Sequence, residues 1–289
     1  PDKSTGISIR GVRERKSDTS LAGRRTFDTM SFGHNPFEVP KRKSFLPFFL
    51  IGFAILFIAL IIYGVVYLNT YYKSDDLAQV ALLSDEAVLV VETDSGISFL
   101  PKSGIGELGF IFYPGGKVEH EAYAVLAKEL AQEGIVACLV EMPFRLAVFN
   151  SNGAKSFFSE YKDVKKWYLG GHSLGGAMAA EYVRKNPDNH GLQGLILLAA
   201  YATKDIRSSK LPTLSIYGTK DEVLSMKNYD AGKEYLPDGF TEVVIEGGNH
   251  AQFANYGIQK GDGLPLISAQ KQMDLTLQSI LDFIEKTSK

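Results

Sequence analysis

Gly171-His172-Ser173-Leu174-Gly175-Gly176 is the stretch whose residue types and spacing could carry chemistry. A serine hydroxyl is a weak nucleophile. It becomes useful when a sharp turn projects its oxygen and a neighbouring base removes its proton. Residues 167–170 before it are strand-like, and residues 174–185 after it are Ala-rich and helical. Glycine at 171 and 175 lets backbone approach where a Cβ would clash. The helix N-terminus would add a positive field beside a developing oxyanion. The pattern predicts Ser173 as a nucleophile, against the plainer reading of a tight glycine turn holding an incidental serine.

Such a serine needs a base, and the base needs an orienting carboxylate. In a strand–turn–helix site of this kind the order along the chain is serine, acid, histidine. Two of the five histidines follow Ser173. His190 lies in the polar stretch Asn186-Pro187-Asp188-Asn189-His190 and reads as solvated. His250 ends Glu246-Gly247-Gly248-Asn249-His250, directly after the strand-like residues 241–245, where a sheet-edge loop would present an imidazole. His250 is the expected base. The acid belongs after the preceding strand, in Tyr217-Gly218-Thr219-Lys220-Asp221-Glu222. Asp221 is the expected acid, Glu222 its rival, and either could instead cap a helix ahead of Val223-Leu224. His172 is too close in sequence to Ser173 to reach its oxygen in line. It is expected to pack or hydrogen-bond near the turn.

Two N–H groups should stabilise an oxyanion. One is that of Leu174. The other should come from Pro114-Gly115-Gly116-Lys117, with Gly116 expected and Lys117 as its rival. The glycines there do not continue as G-K-[ST], so a phosphate loop is disfavoured. No Cys/His/Asp/Glu cluster has metal-ligand spacing, so neither metal nor cofactor is expected. The single cysteine, Cys138, sits in an apolar run and reads as buried structure rather than a reactive thiol.

With these residues in place the chain resembles compact, mostly bacterial α/β-hydrolases akin to dienelactone hydrolases and small esterases. The likeness rests on YPGGKVEHEAYAVLAKELAQEGI, MPFRLAVF, GGHSLGGAMAAEYV, SIYGTKDEV and GGNHAQFANYG, and it runs from about Ala78 to Phe283. It implies Ser173, Asp221 and His250 as a triad, the same residues reached above, and supplies no substrate. The polar, Gly-rich loop from Gln252 through Asp262 to Ser268 is read as either a wall of the substrate site or an ordinary surface excursion.

The elements that must position these residues alternate. Residues 87–92 and 96–100 are β-rich and joined by the hairpin signal Asp94-Ser95-Gly96. Strands follow at 108–113, 135–140, 167–170, 195–200, 213–217 and 241–245. Helices are expected at 75–85, 119–133, 174–185 and 271–285. Near-continuous apolar strands alternating with helices predict an α/β-hydrolase fold: a mostly parallel sheet with helices on both faces and an antiparallel edge.

Charge divides the chain of 289 residues. Residues 1–43 hold ten Lys/Arg and five Asp/Glu, residues 44–72 hold none, and the remainder holds 21 basic and 28 acidic residues. The expected domains are a basic, disordered arm (1–43), a transmembrane anchor with its flank (44–72) and the catalytic domain (73–289). Residues 45–68 are apolar enough to span, at roughly 36 Å for a hydrocarbon core of about 30 Å. Lys41-Arg42-Lys43 abut the span, so the positive-inside rule predicts a cytoplasmic N-terminus and an extracellular domain, the signal-anchor arrangement. The net charge of −2 offers no footprint for nucleic acid. The expected partners are the membrane, through one helix, and a small-molecule or lipid-like ester. The expected activity is hydrolysis of a carboxylic ester through an acyl-enzyme on Ser173. Acyl transfer to a cell-envelope acceptor, or a non-catalytic binding protein on the same fold, are the alternatives.

Overall fold

The computed structural model describes residues 42–187 and 191–288. The expectations of a disordered arm and of a solvated His190 fall on residues 1–41 and 190, outside the described ones. The packing divides inside the first helix, after Ala54, into two compact units.

Helix α1 (Leu46–Asn69) is 24 residues long, with a mean hydropathy of 2.9 over its best window and no buried residue. Pro47 falls in the first turn, where its missing N–H costs little. At the far end, Asn69 Nδ2 and Thr70 Oγ1 donate to the Val65 and Val66 carbonyls, both at 2.8 Å. These bonds satisfy acceptors that a helix end leaves open. This is one membrane-spanning segment by length and composition.

A short helix, α2 (Asp76–Ala81), follows, capped by Asp75 Oδ1 on the Ala78 N–H at 3.0 Å. It stops at Ala81, well before residue 85, and the Asp85 carboxylate accepts the Ala87 and Val88 N–H groups ahead of the first strand. Strands β1 (Val88–Thr93) and β2 (Gly96–Pro101) form the expected hairpin, with Thr93 opposite Gly96. The remaining strands are β3 (Leu108–Tyr113), β4 (Val136–Val140), β5 (Lys166–His172), β6 (Leu192–Leu198), β7 (Thr213–Gly218) and β8 (Thr241–Ile245). Their order is β1-β2-β4-β3-β5-β6-β7-β8. Pairing is antiparallel as far as β4 and parallel from there to β8.

The pleat sorts alternate residues of β3 to opposite faces. Phe110 and Phe112 join a core with Tyr123, Leu126 and Leu130. Ile111 and Tyr113 join the other, with Leu169, Trp167 and Ala179. Helices α3 (Ala124–Gln132) and α7 (Ala269–Thr287) pack into the first core. Helices α4 (Ala154–Glu160) and α5 (Leu174–Lys185) pack into the second. The helix expected over 119–133 opens with a 3₁₀ turn, His120–Tyr123, before α3 begins. Two short helices carry too little periodicity to be seen in the sequence: α4, with seven residues, and the polar α6 (Met226–Lys233), which buries only Tyr229 and Gly232.

Candidate active site

Ser173 stands at the junction of β5 and α5 with φ 53° and ψ −120°. A non-glycine residue in this region is strained by about 1–3 kcal/mol and persists only where its surroundings over-determine it. Here its N–H is fixed to the Leu198 carbonyl at 2.9 Å, and its carbonyl starts α5 by accepting from Ala177 at 3.1 Å. The flanking glycines explain the tightness of the turn. A Cβ on Gly171 would strike the Gly175 and Gly176 backbone, and one on Gly175 would strike the Tyr113 and Pro114 carbonyl oxygens. The start of α5 is thereby pressed against the end of β3.

Asp221 lies in the turn after β7. Its Oδ1 accepts the Val223 and Leu224 N–H groups at 2.9 and 2.7 Å, and its Oδ2 meets His250 Nδ1 at 2.8 Å. The two side chains are 0% and 2% exposed. One carboxylate therefore performs both tasks weighed from the sequence, capping a turn with one oxygen and holding the imidazole with the other. The helix itself starts later, at Met226, with Ser225 Oγ as its cap.

The His250 loop is clamped from behind. Asp262 accepts the N–H groups of His250 (3.2 Å), Ala251 (2.8 Å), Gly263 (2.9 Å) and Glu222 (3.4 Å). From α7, Gln272 brackets Asn249, accepting its N–H at 3.0 Å and donating to its carbonyl at 2.8 Å. The sequence singled out neither Asp262 nor Gln272. In the sequence Asp262 is one residue of a loop read as either a substrate-site wall or a surface excursion, and only the fold brings it under two loops at once. The 252–268 loop is thus a support for His250, and it contributes nothing to the wall of the cavity beside Ser173.

His172 is buried and hydrogen-bonded, as expected. Its Nδ1 meets Tyr123 Oη at 2.8 Å, and the same oxygen accepts the Gly115 N–H at 2.9 Å. The phenol oxygen thus joins the Gly115 N–H to His172 Nδ1. The relay ties the glycine loop after β3 to the end of β5. Burial, and then the His250 ring 4.5 Å away, push the His172 pKa well below its ordinary 6.5. The His250 backbone carbonyl opposes both without forming a hydrogen bond of good geometry. The unfolded chain therefore takes up this proton more readily than the folded one, and stability falls as pH drops below about 6.5. Denaturant midpoints measured from pH 7 to pH 5 should drop less steeply for His172→Gln than for the parent chain. Equal slopes would show that His172 does not bear this cost.

In the glycine loop, the Lys117 N–H is spent on the Arg145 carbonyl at 2.8 Å and the Gly115 N–H on Tyr123. Gly116 lies between them with no acceptor for its N–H among the described residues, and its Cα faces the Leu174 side chain. Leu174 opens α5, so its own N–H lacks a helical partner. Ser173 and His250 line one cavity of about 330 Å³, whose other walls include Leu174, Met178, Tyr201, Val223 and Leu224.

The profile of the Alpha/beta hydrolase family matches residues 109–274, more than half of the chain. The chain belongs to this family. The matched stretch of the α/β hydrolase runs from β3 into α7 and carries Gly116, Ser173, Asp221 and His250; α1, α2 and the β1–β2 hairpin lie outside it. No curated protein matches the chain. Membership makes this an α/β-hydrolase-fold enzyme, and a helix long and apolar enough to span a membrane precedes the matched stretch.

Proposed function

We propose that the chain is a serine hydrolase that cleaves a carboxylic ester through an acyl-enzyme on Ser173. The observation that carries the reading is the buried contact of Asp221 Oδ2 with His250 Nδ1 at 2.8 Å, with His250 and Ser173 on the wall of one cavity. An ionised carboxylate only accepts, so the His250 proton resides on Nδ1 and Nε2 keeps its lone pair. Nε2 takes the Ser173 proton as Oγ attacks the ester carbonyl. The oxyanion is received by the Gly116 and Leu174 N–H groups. Collapse breaks the ester C–O bond, and His250 returns its proton to the departing alkoxide, releasing an alcohol. Water, deprotonated by His250, then adds to the acyl-enzyme, and the acid leaves as Ser173 recovers its proton.

The mostly apolar cavity and the likeness to dienelactone hydrolases and small esterases support a small or lipid-like ester. The basic flank Lys41-Arg42-Lys43 supports a cytoplasmic N-terminus, with the domain from about residue 73 on the outer side of the cell membrane.

A fluorophosphonate probe tests the chemistry, because it phosphonylates only an activated serine. The full chain in detergent, labelled and digested, should yield one modified peptide, carrying Ser173. A folded protein that takes no label, or takes it on another serine, would sink the proposal.

A further inference from the structure

A membrane-spanning helix that ends at Asn69 leaves the next residues at headgroup level. Those residues are not a loose tether. The Arg145 guanidinium lies 3.4 Å from the centroid of the Tyr71 ring. Tyr72 packs against Tyr256 at 5.4 Å, and its hydroxyl accepts the Lys260 N–H at 3.1 Å. In the last turns of α1, Tyr67 carries the Lys117 ammonium 4.0 Å from its ring centroid. The segments around Arg145 and around Tyr256 therefore sit against residues that the chain itself holds at the bilayer surface.

Both segments present large apolar side chains outward. Phe144, next to Arg145, is 57% exposed, and Phe149, in edge contact with it at 5.8 Å, is 61% exposed. Ile258, between Tyr256 and Lys260, is 91% exposed. Phe144 and Arg145 also have consecutive left-handed φ values of 55° and 58°. That strain holds a phenylalanine out in solvent, so burial within the chain does not offset it. Exposed aromatic side chains beside tyrosines that carry cations suit the interface of a phospholipid bilayer. The cations on Tyr67 and Tyr71 are Lys117, Arg145 and Lys73, the last 6.0 Å from the Tyr71 ring, and Arg145 also lies 4.0 Å from the Glu119 carboxylate.

We propose that Phe144, Phe149 and Ile258 form a membrane-docking surface that lies in the interface of the bilayer crossed by α1. The bilayer is the partner because chain continuity delivers these residues to it. The surface also bears on the candidate oxyanion loop. The Lys117 N–H donates to Arg145, and its carbonyl accepts the Tyr72 N–H at 2.7 Å, so both sides of the contact meet beside Gly116. This last link rests on the serine-hydrolase reading; the docking does not.

The test places a tryptophan at each position, Phe149→Trp or Ile258→Trp, in the full chain reconstituted into phosphatidylcholine vesicles. Every variant also carries Ser173→Ala, so the result is independent of whether the serine chemistry is correct. Trp167 is the single native tryptophan, and it is buried, so it supplies a constant background. Val244→Trp on β8, also at an exposed apolar position, is the control. Emission from positions 149 and 258 should shift to the blue and lose most of its intensity when the lipid is brominated near the glycerol end of its chains. Position 244 should do neither. Solvent-like emission without quenching at 149 and 258 would overturn the proposal. So would a blue shift without quenching, which would assign the surface to a protein contact such as a second copy of the chain.

Discussion

Ser173→Ala should lower kcat for a carboxylic ester by about 10⁶-fold, the scale seen when the serine of a comparable triad is removed. The residual rate, roughly 10³–10⁴ above water, would come from the oxyanion donors and substrate binding alone. The substitution is structurally mild. The turn is held by main-chain bonds, Ser173 N–H to Leu198 and Ala177 N–H to Ser173, and alanine keeps both. Its methyl occupies the same strained backbone position as the serine Cβ. Wild-type and variant chains should unfold at similar denaturant concentrations, so the lost rate reads as lost chemistry. A folded Ser173→Ala chain that keeps more than a tenth of the activity would remove Ser173 from the reaction.

Asp221→Asn should cost about 10⁴-fold in kcat. Its carbonyl oxygen can go on accepting the Val223 and Leu224 N–H groups, so the turn after β7 survives. The change lies on the other side. An amide NH₂ in place of Oδ2 donates to His250 Nδ1 and drives the ring proton onto Nε2, the nitrogen that must accept from Ser173. The side chain that holds the histidine would then hold it in the unreactive tautomer. Glu222→Gln should leave kcat within a few-fold, because Glu222 meets Asp262 through its main-chain N–H. Steady-state kinetics on both variants separate these neighbours. Near-normal turnover in Asp221→Asn with collapse in Glu222→Gln would reverse the assignment of the acid.

The parts of the candidate site set by local chemistry were legible in the sequence. Gly171 and Gly175 announce a turn too tight for side chains, and the strand before Ser173 and the helix after it give that turn its direction. His250 and Asp221 each close a loop after a strand, which is where a parallel sheet opens its edge, and their contact follows from the adjacency of β7 and β8. Other residues carry meaning only through the fold. Asp262 resembles any polar turn residue until two loops converge on it. Tyr123 falls inside the helix expected over 119–133 and carries no mark of its role there, whereas its hydroxyl joins Gly115 to His172. Residue size alone favours Gly116 over Lys117 in the sequence, whereas what separates them in the fold is the Arg145 carbonyl that occupies the Lys117 N–H. The left-handed backbone at Phe144 and Arg145 has no signature at all, since neither residue favours it.

Cys138 sits at the middle of β4, paired on one side with Ser98 of β2 and on the other with Ile111 of β3. It is fully buried, and that burial pushes its thiol pKa up. A water-soluble maleimide can reach this sulfur only when the central strands part. The chain thus carries one native chemical clock. Under conditions where reclosing outruns alkylation, the rate of thiol loss measures the equilibrium for opening the sheet, in the bilayer and without any engineered probe.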